Sequence, residues 1–191
     1  MNVKDPEIQL PQVIKDILTE MLSDSDDALR SLFSNCDELF FDLSSRASSD
    51  SEENLYFECM RELRSNNELV IHTYQRCIIE NFAASVHGEP LPYTHKVQQQ
   101  EDNGLKLVDN EQLEIDIAIN NLAANARKVH QETLSEITLR LNELLPEVDI
   151  DQENNPLDPV NIGRAFSYAC QKQLDINVKC LVIILKQFER H

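Results

Sequence analysis

Residues 51–64 read SEENLYFECMRELR, and the fold turns on whether this run interrupts the chain or belongs to one long helix. Its centre, ENLYF, looks like a viral-protease site from an expression tag. Yet Glu58 stands where such a site carries Gln, and the apolar spacing runs through it without losing phase. Tyr56, Cys59, Met60, Leu63, Val70, Ile71, Tyr74, Cys77, Ile78, Phe82 and Ser85 recur at threes and fours. That period is the signature of an amphipathic helix. Ser49 and Glu52, three apart, have capping-box spacing and place its start. The run is therefore native, the opening turns of a central helix.

Working outward, Pro11–Ser23 predicts a short first helix with Ile14, Ile17, Leu18, Met21 and Leu22 inward. The acidic SDSDD at 23–27 has the residues of a cap and predicts a separate second helix. Its stripe is Leu29, Leu32, Phe33, Cys36, Leu39, Phe40 and Leu43, fading in the serines at 44–51. Residues 88–104, with Gly88, Pro90, Pro92 and QQQEDNG, form an expected loop. Asp109 with Gln112, and Val108 with Leu113, have the spacings of a capping box and a hydrophobic staple. The series Leu113, Ile117, Ala124, Val129, Leu134, Ile137, Leu141, Leu144 then predicts a second long helix. Each long helix would span ~50 Å, a length that suits an antiparallel pair at the centre of a bundle. A second loop covers 146–158. Asp158 as cap and Pro159 in the first turn open a helix with Ile162, Phe166, Ala169 and Cys170 inward. Asp175 is expected to start a last one carrying Val178, Leu181, Val182, Leu185 and Phe188. The apolar pattern reaches His191 with no cap, which reads as the N-terminal fragment of a longer protein. The expected fold is one all-α domain over 1–191, a helical bundle built around two long antiparallel helices with several shorter ones.

Composition restricts function. With 34 acidic against 17 basic residues the formal charge is −17, a surface that repels phosphate backbones and argues against nucleic acid as a partner. It leaves a basic protein partner open, although acidity by itself commonly serves solubility. No apolar run is long enough to cross a membrane. The five cysteines lack CxxC spacing and fit small apolar groups in a reducing cytoplasm. No acidic residue lies three before His72, His87, His95, His130 or His191, so the ExxH pairs of a di-iron bundle are absent. Asp149, Asp151 and Glu153 open like a calcium loop, but Asn154 and Val160 occupy the positions that need Gly and Glu. Three scattered glycines build no phosphate cradle. Neither a metal, a cofactor nor a catalytic residue is expected. The distinctive polar cluster is Arg61 and Arg64 in MRELR, with Arg46 before it, a candidate contact for a partner's carboxylate or phosphate. Its competing reading is intrahelical pairing, Glu58 with Arg61 and Arg64 with Glu68.

Four ordered blocks carry a resemblance: LFSNCDELFFDLSSRASSDSEENLYFECMRELR, LKLVDNEQLE, ENNPLDPVNIGRAF and KCLVIILKQFERH. From about Leu29 to its end the chain resembles the N-terminal part of a proteobacterial domain-of-unknown-function family, number sixteen thirty-one. The resemblance implies a protein several times longer. It also implies, through a PilZ-type domain outside these residues, a link to cyclic-di-GMP signalling. Some members carry the label thymidine phosphorylase, and no catalytic residue is carried over. The favoured expectation is a non-catalytic interaction or regulatory domain that docks a protein partner or a second copy. An anion- or cyclic-di-GMP-responsive domain is the first alternative and a nucleoside-phosphorylase-type enzyme the second.

Overall fold

A computed structural model describes residues 10–93 and 110–188. Within them lie five helices and no strand: α1 Gln12–Ser45, α2 Asp50–Val86, α3 Asn110–Leu144, α4 Pro159–Gln173 and α5 Val178–Phe188. The chain is all-α, as its periodicity implies. The expected cap at Asp109, the staple residue Val108, most of the loop over 88–104, and His95 and His191 lie outside the described residues.

α2 is the helix that SEENLYFECMRELR opens, and every residue of its expected stripe is buried. Ser49 caps it, its hydroxyl accepting from Glu52 N–H at 3.3 Å. The reciprocal half of the box is displaced by one residue: the Glu52 carboxylate accepts from Ser48 N–H at 3.0 Å. At the far end Gly88 takes φ +66°, and Glu89 N–H and Gly88 N–H donate to the carbonyls of Ala84 and Ser85. This is a Schellman close, which needs a left-handed residue at that point.

The first two expected helices are one. α1 runs straight through SDSDD, because Ser25 Oγ donates within the helix to Leu22 O and Asp26 pairs with Arg30 one turn on. α1 and α2 form an antiparallel hairpin; Asp37 meets Arg64, Arg30 meets Glu68, and Gln75 donates to Leu22 O. The long antiparallel pair of the bundle is therefore α1–α2. α2 and α3, the pair suggested by length, share no packed interface; α4 and α5 lie between the hairpin and α3.

α4 explains that arrangement. It starts as expected, with Asp158 accepting from Val160 N–H and Pro159 in the first turn. It is buried on nearly all sides, and Phe166 stacks on Phe188 of α5 at 4.2 Å between ring centroids, with Tyr74 edge-on at 5.9 Å. Gly163 lets α3 approach, since a Cβ there would sit 3.2 Å from Ile119 Cγ2. α5 begins at Val178 rather than Asp175; the Asn177 side chain accepts from Lys179 N–H at 2.8 Å.

α3 departs most from expectation. It buries Ile115, Ala118, Ile119, Leu122, Ala123 and Leu141, while Ile117 is 51% and Val129 72% exposed. Two stripes on this helix satisfy helical spacing, and the one containing small alanines wins because it packs close against Gly163. His130 has non-helical backbone angles (φ −117°, ψ 26°) and kinks the helix.

Candidate functional site

The three arginines singled out by the sequence lie on the hairpin, and two already hold carboxylates. Arg46 pairs with Asp42 one turn back at 2.8 Å. Arg64 grips both oxygens of Asp37 across the α1–α2 interface, each at 2.7 Å. Arg61 is exposed and has no ion pair among the described residues. The intrahelical alternative is not realised either, because Glu68 takes Arg30 across the same interface. The Arg64 and Arg30 bonds join α1 to α2, the Arg46 bond stays within one turn, and Arg61 alone of the three candidates has no carboxylate partner among the described residues.

Two clefts lie elsewhere. The first, about 300 Å³, opens between α1 and the kink of α3. Leu29 and Leu32 line it from α1, Leu122, Ala126 and Leu134 from α3, and Phe188 from α5. Its surface is predominantly apolar. Ser25 and Ala28 also border it, which brings the acidic run 23–27 to its edge. Asp24 and Asp27 of this run are exposed but do not line the cleft, and Asp26 is held by Arg30.

The second cleft, about 610 Å³, has a mixed polar and apolar lining and lies between α3, the start of α4 and the connections at 88–91 and 152–154. Arg127 donates from one terminal nitrogen to both oxygens of Asp158, each at 2.8 Å. Asp158 is thereby fixed as the cap of α4. Asn161 donates to Asn155 O at 2.8 Å, securing the connection before α4. Arg164 is half-buried in the same cleft with no hydrogen bond or ion pair among the described residues. Sequence reasoning passed over this site. Asn161 and Arg164 are neighbours on one face of α4, and Asn120 and Arg127 are two turns apart on α3, but nothing in the sequence joins the two faces.

The serines of the run at 44–49 serve the backbone and its caps. Ser44 and Ser45 donate to Phe41 O, Ser48 to Glu52, and Ser49 caps α2. In the acidic loop, Asp151 Oδ1 accepts from Glu153 and Asn154 N–H, and Asn154 donates to Asp149 O, forming a turn. Among the described residues no group of three or more His, Cys, Asp or Glu side chains is placed to hold a metal ion. All five cysteines are buried. Burial pushes the Cys36 thiol up to about 12 and Cys77 up to about 11, far from the thiolate needed for nucleophilic attack. Gly88 ends a helix and Gly163 lies inside one, so neither contributes to a phosphate loop. Among the described residues no helix is long and apolar enough to cross a membrane.

The family model described as Protein of unknown function (DUF1631) N-terminal domain matches residues 9–191. No curated protein and no solved structure matches the chain.

Proposed function

We propose that this chain, which belongs to the DUF1631 N-terminal domain family, is a non-catalytic cytoplasmic interaction module that docks an amphipathic helix of a protein partner. The observation that carries this reading is the apolar cleft at the α3 kink. An apolar groove between packed helices accepts side chains spaced i, i+3, i+4 and i+7 along one face of a partner helix. Buried apolar anchors supply most of the affinity of such contacts. Charge selects the occupant. Asp24 and Asp27 are exposed on the same turns of α1 as Ser25 and Ala28 without lining the cleft, and the chain carries −17, so long-range attraction favours a helix that is basic on the faces flanking its apolar stripe. Self-association on the same groove is a competing outcome that light scattering resolves.

Ala126→Arg places a charge in the cleft from a half-buried position. In pull-downs followed by partner identification, this variant is expected to release the partner that the unaltered chain retains. Asp24→Lys with Asp27→Lys is expected to weaken capture mainly at low salt, because exposed charges act within a Debye length of ~10 Å at 0.1 M. A monomer that retains no partner, or a partner indifferent to Ala126→Arg, contradicts the reading.

A further inference from the structure

We propose that the cleft between Arg127 and Arg164 binds a small molecule through an oxyanion group, either a phosphate monoester or a carboxylate. Arg164 is the first reason. Arg164 as a residue is half-buried and lines the cleft, and no carboxylate or carbonyl meets its guanidinium among the described residues. The other interhelical arginines of this acidic chain, Arg30, Arg64 and Arg127, each hold a carboxylate. A cleft-lining guanidinium with no carboxylate partner keeps its five donors available to an incoming anion.

Arg127 is the second reason. Both of its bonds to Asp158 leave from one nitrogen, so the other edge of the guanidinium keeps its donors. Asp158 neutralises Arg127 without exhausting it, and the pair is anchored because Asp158 also caps α4. Asn120, on the same face of α3, adds an amide to the cleft wall. Two guanidinium groups on different helices, with an amide between turns, suit a planar or tetrahedral oxyanion held from two sides.

Size and charge limit the ligand. About 610 Å³ lies within the range of small-molecule clefts. Glu89 and Glu153 also border it, and the chain carries −17, so a polyanionic strand would meet repulsion on every side. A single anionic group on a small, otherwise polar molecule fits the remaining amides.

Thermal melts of the whole chain with inorganic phosphate, glycerol 3-phosphate and succinate, at constant ionic strength against sodium chloride, test the proposal. Tm is expected to rise with the logarithm of concentration for phosphate and its monoester, for succinate, or for both. The pattern separates the sources: a response confined to the phosphates names a phosphoryl ligand, and one confined to succinate a carboxylate. Arg164→Gln is expected to melt normally without ligand and to bind about tenfold or more weakly, with Arg164→Lys between the two. Side-chain NMR of the arginine Nε–H groups in the unaltered chain is expected to show Arg127 and Arg164 moving together with added ligand. No rise above chloride for any of the three overturns the proposal, as does a rise that survives in Arg164→Gln. Ala126→Arg is expected to leave the anion response intact, which separates this proposal from helix docking.

Discussion

Asn81 is 1% exposed on α2, and among the described residues neither its Nδ2 nor its Oδ1 has a hydrogen-bond partner. A buried amide in that state costs about 1–3 kcal/mol. Asn81→Leu keeps the volume and removes the penalty, so its urea midpoint is expected to equal or exceed that of the unaltered chain. A clear loss of stability would mean that an ordered partner satisfies the amide. Glu52 carries the opposite lesson. Its carboxylate accepts from Lys179 Nζ at 2.6 Å, from the Ser48 backbone and hydroxyl, and from Tyr56, and these bonds hold its pKa down to about 2. A carboxylate depressed below its ordinary ~4.3 stabilises the fold fully above that pH and loses the contribution as pH falls through the folded value. Between pH 5 and 2 the unaltered chain is expected to lose stability more steeply than Glu52→Gln, as urea midpoints against pH would show; parallel curves would refute the assignment. Both residues also mark the limit of sequence reading. The spacing of Ser49 and Glu52 reveals a cap, but Lys179 lies 127 positions from Glu52 and no local pattern announces it.

At the scale of elements, α2 was legible because one apolar stripe runs its whole length, with only Phe57 and Leu69 as large apolar residues exposed off it. α1 was not, since a serine- and aspartate-rich run that can start a helix can also sit inside one when Ser25 bonds back and Asp26 finds Arg30. α3 was misread for a different reason. Leu113, Ile117 and Val129 outrank Ala118 and Ala123 in hydrophobicity, yet packing rewards the face that comes close, and Gly163 on α4 makes closeness available. Gly163→Val is therefore expected to push α3 from α4 and cost about 1–3 kcal/mol in urea unfolding. A neutral result would show that Ile119 and Leu122 yield without strain.

For the whole molecule, the order of layers follows from α4. A short helix buried on nearly all sides separates the α1–α2 hairpin from α3 and replaces the expected pairing of the two helices that looked longest. The same layering creates both clefts. The apolar one forms where α1 faces the kink at His130, and the arginine-lined one where α3 meets the start of α4. Neither was legible, because each draws residues from segments far apart in the chain. Of the arginines that were legible, Arg64 bridges the hairpin to Asp37, while Arg46 pairs with Asp42 within one turn of α1. The account of function rests on the apolar cleft, and a photo-crosslinking residue in place of Ala126, introduced into the chain in its native cells, tests it most directly. Helix docking predicts a discrete crosslinked protein whose attached peptide is an amphipathic helix with basic flanks, lost when Asp24 and Asp27 become lysines. No product from position 126, with the same partner captured from a crosslinker at exposed Phe57 on the hairpin, would contradict it.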